Sequence, residues 1–576
     1  MTAIVTAEIV HDSFDRFYAE FHRITRDARR RFDMREWMLV HDLHHQRIDL
    51  YQRYVTATLG RLASTLRAFP EDVEVWSGAH RAYADLVRGR IDFEVAETFF
   101  NAITRKVFRT VGVNHEIEFL ERELETPDSE PLPGQIERVP TAPLADMFAT
   151  LLVQPRPAIH WRDLRRDAAW LAARYEEHCE AMGVLPTLDA IDVLRPLFFR
   201  TREGYIVARG HAGDRQFPLL VPIQPTAGGM VVDGALFDEA STLQVFSSTR
   251  SYFFVDVMRP VDVVDFLGSL MPRLTQSELY IAIAHHRHGK TLIHRELVDY
   301  LGGTSADDDP FIMAPGIAGL VMTVFTLPSY RNVFKVIRDK FDKPTATREG
   351  ILRSYRDVFR GRRVGRLADT QEFEYLAFDR RRFSEPCLRE LLAKAQGSIL
   401  VEGDEVVVSH LYIEEKMTPL NIYLTQVGPA EAAAAMIDYG DAIAELAANN
   451  IFAGDLLWKN FGVTGNGRLV LYDYDEICPL LACNFRRIPK PRSYEDELSD
   501  QPYYAVADSD VFPQEWAPFI VPREPALRAA FLDHHAALMT PEFWQDKQAQ
   551  VVANELNIGL PYAPRFPALS SPPPRA

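Results

Sequence analysis

Two segments, read together, constrain this chain more than anything else in its 576 residues. The first, APGIAGLVMTVFTLPSYRNVFK, runs from Ala314 to Lys335. In it Gly316 and Gly319 make a turn between apolar runs, and Lys335 follows inside a second β-type run, Val333-Phe334-Lys335-Val336-Ile337. The second, GDLLWKNFGVTGNGRLVLYDYD, runs from Gly454 to Asp475. There Asp455 and Asn460 stand five apart, and Asp473 follows thirteen later, beyond a Gly-Asn-Gly hairpin turn. A glycine turn, a strand lysine, an Asp-x4-Asn loop and a strand-end aspartate, in that order, are the parts from which a phosphoryl-transfer site is built.

Each part has its chemistry and its plainer alternative. Phosphoryl transfer needs the triphosphate held and its charge neutralised. Backbone N–H groups do the holding, and glycine lets the chain approach closely. The turn Ala314-Pro315-Gly316-Ile317-Ala318-Gly319-Leu320 has only two glycines, and by itself it reads as a structural turn. Lys335 is either an edge-strand charge or a phosphate contact fixed by a glutamate of a neighbouring helix, with Glu372 and Glu374 as candidates. Val406–Tyr412, followed by Ile413 to Leu420, reads as a strand entering a hinge. Asp455 can orient or deprotonate a hydroxyl and Asn460 can ligate magnesium; separately, they read as a helix cap and a turn residue. Ala453-Gly454 stands where His-Arg commonly precedes such an aspartate. Asp473 ends the run Leu469-Val470-Leu471-Tyr472, where a carboxylate is placed for a metal. Jointly, the four elements favour the site over coincidence.

The length predicts two or more domains. A net charge of −17 argues against a nucleic-acid partner. The basic runs Arg26–Arg31, Arg353–Arg366 and Arg380–Arg382 read as solvated faces. Four cysteines, Cys179, Cys387, Cys478 and Cys483, fit a reducing compartment, and Cys478 and Cys483 lack the partners of a zinc site. The N-terminal stretch is not that of a signal peptide, and no window reaches the roughly 18 apolar residues of a membrane span, so a cytoplasmic protein is expected. His285-His286-Arg287-His288-Gly289-Lys290-Thr291 ends like a phosphate loop, but Ala284 stands where its first glycine belongs. Those histidines, with His41, His44 and His45, read as surface or capping residues rather than metal ligands. No G-x-S-x-G motif marks a serine hydrolase.

Along the chain, residues 8–125 read as helical, with Phe14, Phe17, Tyr18, Phe21 and Ile24 on one stripe. Thr126 to Pro143 reads as a surface connection, and helix resumes to about residue 195. Tyr205–Ala208, Leu219–Ile223, Met230–Val232 and Tyr252–Val257 are β-type runs, and Ser277–Tyr300 is helical again. Gly302 to Pro310 is the main boundary candidate. Beyond it, Ile399–Glu402 and Val406–Tyr412 suggest a hairpin, Ala430 to Asn449 a long helix, and Ser570–Ala576 a disordered tail.

The runs APGIAGLVMTVFTLPSYRNVFKVI, ADTQEFE, GDLLWKNFGVTGNGRLVLYDYDEIC and SYEDELSDQPYYAVADSDVFPQEW resemble the bacterial isocitrate dehydrogenase kinase/phosphatase family over nearly the whole length. Ala318 departs from the arginine expected there. The resemblance implies an α+β chain: a mostly helical regulatory domain over 1–305, β-rich near 200–260, and a bilobal protein-kinase-like catalytic domain over 306–576. It implies phosphorylation of a serine of isocitrate dehydrogenase by ATP, removal of that phosphate, and control of flux into the glyoxylate bypass. ADP, Mg2+ or Mn2+, AMP and metabolite effectors, and a homodimer are implied with it. It makes Ala314 to Leu320 and Lys335 the ATP contacts and Asp369 the active-site aspartate, while the chemistry of the residues themselves adds Asn460 and Asp473 as metal residues and Asp455 and Asp475 as catalytic aspartates. Asp475 takes the glycine position of an Asp-Phe-Gly motif, where a carboxylate can activate water against a phosphoserine. Arg486, Arg487, Lys490 and Arg492 suggest a docking loop for the protein substrate. An aminoglycoside-type phosphotransferase and a kinase-like binding module are the rival readings.

Overall fold

In the computed structural model, which describes residues 2–66, 71–120, 132–157, 159–200, 202–246, 252–343, 346–360, 365–490, 504–553, 560, 562, 564 and 565, the aromatic stripe becomes one face of α1 (Thr2–Asp33). All five stripe residues are buried against α2 (Trp37–Leu66), α3 (Val73–Val87) and α4 (Phe93–Phe108). Phe17 stacks on Phe99 of α4, ring centroids 5.7 Å apart. Burying one such side chain contributes about 1.5–3 kcal/mol, so the stripe alone seats the helix.

After α5 (Leu144–Val153) and α6 (Leu164–Ala181), an antiparallel sheet packs on this bundle. It comprises β1 (Ile136–Pro140), β2 (Ala190–Leu194), β3 (Phe198–Arg200), β4 (Glu203–Ala212), β5 (Arg215–Thr226) and β6 (Gly229–Val232), in the order β1-β2-β4-β5-β6 with β3 on β4. Three of the expected β-runs fall in β4, β5 and β6. Two expectations are corrected. Ile136–Pro140 is not a plain connection but the edge strand, with Val139 opposite Ile191; residues 121–131 lie outside the described residues. Residues 252–257 make a single bridge, Phe199 to Phe254, before Pro260 opens α8 (Pro260–Leu270), which follows α7 (Glu239–Phe246).

The helical stretch at 277–300 is broken into α9 (Gln276–Ala282) and α10 (His286–Gly303) at Ala284, whose φ is +69°. His285, His286 and His288 are therefore not on the surface; they are buried where α10 meets α1 and α4. The Tyr18 hydroxyl lies 3.0 Å from His285 Nε2, and the Thr98 hydroxyl 2.8 Å from His288 Nδ1. Burial pushes the His285 imidazole down to about 3, so it is a neutral core group.

The remaining chain forms two lobes. A sheet lobe holds β7 (Ile312–Met313), β8 (Met322–Thr326), β9 (Asn332–Ile337), β10 (Thr370–Asp379), β11 (Ile399–Glu402) and β12 (Glu405–Glu415). The order is β10-β12-β9-β8-β7 with β11 on β12, all antiparallel, so the expected hairpin is present. Helices α11 (Arg348–Arg360) and α12 (Glu385–Ala395) flank it. Phe311, Phe325, Phe334, Phe378 and Phe383 fill its core. The second lobe carries β13 (Thr418–Pro419), α13 (Leu420–Gln426), α14 (Pro429–Ala448), β14 (Ile451–Phe452), β15 (Phe461–Val463), β16 (Leu469–Leu471) and β17 (Cys478–Pro479), with helices Pro525–His535 and Pro541–Val552 behind. The tail from Ser570 lies outside the described residues.

One segment stitches the lobes together. Leu367 bridges Leu471 of β16, and the Ala368 amide donates to the Leu471 carbonyl at 2.9 Å, just before β10 begins. Arg366 is buried there between Asp438 and Glu445 of α14, so that end of the basic run is not a solvated face. The architecture is the expected α+β: a helical N-terminal region and a two-lobed, kinase-like C-terminal region. Among the described residues no helix is long and apolar enough to cross a membrane.

Candidate active site

Between the lobes lies a cleft of about 320 Å3. Ala314, Pro315, Gly316, Ile317, Ala318 and Gly319 roof it, and Leu320 borders a smaller recess of about 40 Å3 alongside. The turn is built between β7 and β8, its first residue held by the Ala314 amide on the Val324 carbonyl at 2.9 Å. Gly316 has φ +126°, a backbone state that costs L-residues strain. It faces Pro419 and Ile422 of the second lobe.

Lys335 rises from β9 into the cleft, 6 % exposed. Its Nζ forms an ion pair with Glu414 and donates to the Tyr472 carbonyl at 2.9 Å. The expected partner was a helix glutamate, Glu372 or Glu374, and this is corrected. Both lie on β10, and the intervening strand β12 is closer. Lys335 is opposite Tyr412, so Glu414, two residues along, sits diagonally on the same face. Glu372 is two strands away, about 9–10 Å by strand spacing, with Tyr412 between. It pairs instead with His410 at 2.7 Å, and Glu374 with Lys106 at 3.3 Å. The Thr370 hydroxyl donates to Glu414 Oε1 at 2.9 Å, completing a row across three strands. Burial pushes the Glu414 carboxyl up, against the pull of Lys335.

The floor comes from the second lobe. α14 sets it: the Tyr439 hydroxyl donates to the Leu456 carbonyl, and Asp438 accepts the Leu469 amide at 2.7 Å. Gly454, with φ +72°, explains why no arginine precedes Asp455: an added Cβ would stand 2.6 Å from the Glu476 carbonyl oxygen. Asp455 Oδ1 accepts the Leu457 amide at 3.0 Å, so the residue closes a turn while lining the recess. Asn460 Nδ2 donates to the Asp455 carbonyl at 3.3 Å. Asn460, Asp473 and Asp475 line both the cleft and the recess. The Asp475 amide donates to Asp473 Oδ1 at 3.4 Å, and Asp475 Oδ1 is buried with no hydrogen-bond partner among the described residues. Burial and then the Asp473 charge push the Asp475 carboxyl up to about 7. Tyr474, between the two aspartates, points away and donates to the Ala368 carbonyl at 2.7 Å.

Twelve of the thirteen expected residues thus line the cleft or the recess beside it: Ala314 to Leu320, Lys335, Asp455, Asn460, Asp473 and Asp475. Asp369 lines neither. It stands at the start of β10, next to Thr370 and accepting from Gln371 Nε2 at 3.1 Å. The hinge is Lys416 to Pro419, with Met417 and Pro419 on the cleft wall. Residue spacing missed three cations and an acid. Lys459 lines cleft and recess, Lys343 lines the recess and pairs with Glu476, and Arg338 lines the cleft. Glu414, the acid, was legible only through strand register.

Residues 309–564 match the family model described as the isocitrate dehydrogenase kinase/phosphatase (AceK) kinase domain, and residues 7–305 match the regulatory domain of the same family. The chain is 38% identical over 561 residues to an Anaeromyxobacter sp. (strain Fw109-5) protein named isocitrate dehydrogenase kinase/phosphatase, covering 97% of each. A protein of that name from Cupriavidus taiwanensis is 37% identical over 570 residues, covering 96% of this chain and 91% of the relative.

Proposed function

The chain belongs to the isocitrate dehydrogenase kinase/phosphatase family, and from that premise we propose that one cleft runs both of its reactions. It is a bifunctional enzyme: a protein serine kinase that inactivates isocitrate dehydrogenase with ATP, and a phosphatase that reverses this, dividing isocitrate between the citric acid cycle and the glyoxylate bypass. The reading rests on the convergence of Lys335, Asp455, Asn460, Asp473 and Asp475 beneath the glycine turn. Similarity over nearly the whole chain disfavours the small-molecule kinase and the binding module.

In this mechanism the Ala314–Leu320 backbone covers the phosphates of ATP, and Lys335, held by Glu414 and the Tyr472 carbonyl, binds them. Asp455 orients the substrate serine and takes its proton. The hard oxygens of Asn460 and Asp473, which line the cleft and the recess together, suit Mg2+ or Mn2+. Held there, such a cation would supply neutralisation of the phosphate charge. In dephosphorylation, Asp475 holds a water and takes its proton. Asp369 stands behind the site, next in sequence to Thr370, whose hydroxyl donates to Glu414 Oε1. The test is incubation with radiolabelled ATP and purified isocitrate dehydrogenase, then with the phosphorylated product. Transfer to a serine and later release of phosphate are expected; no incorporation sinks the reading.

Lys335→Met is expected to lower the kinase rate about 10²-fold, because it removes a preorganised charge from a dry site. Glu414→Gln should lower it less, by leaving Lys335 unfixed. A folded Lys335→Met protein with the wild-type rate would remove Lys335 from the ATP contacts.

For the effector, we propose the cavity of about 630 Å3 between α2, α4, α10 and β10. Arg105, Lys106, Arg109, Arg287, Lys290 and Arg295 line it. Burial and then Arg287 push the Lys290 ammonium down to about 7, against the pull of Glu372 and Glu374, which also line the cavity. An AMP-like phosphate adds the charge that favours the ammonium. Binding should raise the Lys290 pKa again, so it takes up a proton near pH 7 and weakens as pH rises through that value. Calorimetry in two buffers reads this, and Lys290→Met should abolish both proton uptake and the AMP response. The cytoplasmic location and a homodimer complete the proposal, the latter checked by light scattering.

A further inference from the structure

Past Asp475 the chain turns through Glu476 into β17, where Cys478 pairs with Phe452 of β14, just ahead of the Asp455 loop. A short turn, Leu480–Ala482, brings Cys483 back beside it. The two sulfurs lie 3.6 Å apart, and a bond needs about 2.05 Å. Both thiols are partly exposed, whereas Cys179 and Cys387 are buried. None of the chemistry above uses this pair. We propose that Cys478 and Cys483 are an oxidative modification site: a hydroperoxide converts them to a reversible disulfide that slows both reactions.

The two thiols have distinct parts. The hydrogen bond that the two thiols share holds Cys478 below the usual thiol range and raises Cys483. The Cys478 sulfur attacks one peroxide oxygen, the O–O bond breaks, and the other oxygen leaves as water, giving a sulfenic acid. The Cys483 sulfur then attacks that sulfur, the S–S bond forms, the S–O bond breaks, and a second water leaves. Two thiols are oxidised by two electrons and one hydrogen peroxide is reduced to two waters, so the step balances.

The coupling to catalysis follows from which side is anchored. Gln548 Nε2 donates to the Leu480 carbonyl at 2.9 Å and to the Cys483 carbonyl at 2.7 Å, and the Asn484 amide donates to Ser509 at 2.7 Å. Cys478 is paired with Phe452, just ahead of the Asp455 loop, and leads through Ile477 and Glu476 to Asp475, so both of its connections run to catalytic aspartates. Glu476 abuts Gly454 and pairs with Lys343. Closing the gap therefore pulls on the segment that carries the aspartates. A misplacement of ~1 Å at a reacting group can cost about 10²-fold.

The full-length protein is treated with hydrogen peroxide, alkylated and read by peptide mass spectrometry, with both rates measured on the same sample. The expected result is a peptide lighter by two hydrogens that links Cys478 to Cys483, both rates down roughly 10-fold or more, and recovery on reduction. Cys483→Ser should instead trap the sulfenic acid on Cys478, detected by a dimedone adduct. Cys478 driven to sulfinic acid with Cys483 free, a disulfide only between two copies, or an intramolecular disulfide with unchanged rates each overturns the proposal.

Discussion

Asp473→Ala is expected to cost the kinase and the phosphatase together, each by about 10³-fold or more. A metal at a reacting phosphate supplies several kcal/mol of charge stabilisation, and each ~1.4 kcal/mol is about tenfold in rate. The side chain contributes little to the fold: its visible contact is one long hydrogen bond, 3.4 Å, from the Asp475 amide. The variant should therefore keep its melting temperature while losing both rates, and extra Mn2+ should restore little. Asn460→Ala should move both rates the same way by less, since an amide is a weaker donor than a carboxylate. Parallel assays of phosphate transfer and release decide it. Phosphatase activity that survives Asp473→Ala intact would place hydrolysis outside this cleft.

Asp475→Ala should split the two activities. Phosphoryl transfer in the scheme above uses Lys335, Asp455 and the residues around the metal, so much of the kinase rate should remain. Hydrolysis needs a positioned water and a group to take its proton, and a well-placed base contributes roughly 10²- to 10⁴-fold. Asp475 is suited to that task by position: it borders both cleft and recess, and its Oδ1 is buried without a hydrogen-bond partner among the described residues. Release of phosphate from phosphorylated isocitrate dehydrogenase should fall by that factor while the kinase rate changes little. Equal loss of both activities would make Asp475 a metal or structural residue. Retained phosphatase would move the base to Asp455 or Asp369, or point to reversal of the kinase reaction through ADP.

Much of the catalytic face was legible because it is local in sequence. Asp455 and Asn460 share one loop, Asp473 and Asp475 one strand end, and the glycines one turn, so their separations along the chain already limit their separations in space. The β-runs at 205–208, 219–223 and 230–232 and the aromatic stripe of α1 were legible for a similar reason: alternation and helical spacing are local patterns. Tyr252–Val257 had the same composition as a strand yet made one bridge, because Pro260 ends its path.

What the chain by itself determined, then, was the order of the parts and the chemistry that each residue type permits. What only the tertiary structure decided was which distant groups meet. Glu414 fixes Lys335 because antiparallel register sets it diagonally across β12, a relation no spacing rule along one strand contains. Asp369 sits beside the site rather than in it because Arg366 and Leu367 tie its segment to α14 and β16. The histidines near residue 285 became core residues because α10 packs them against α1 and α4. Polarity along a chain reports what a side chain can do in water; burial is set by whichever surfaces the fold brings together, and that is a property of packing between segments hundreds of residues apart.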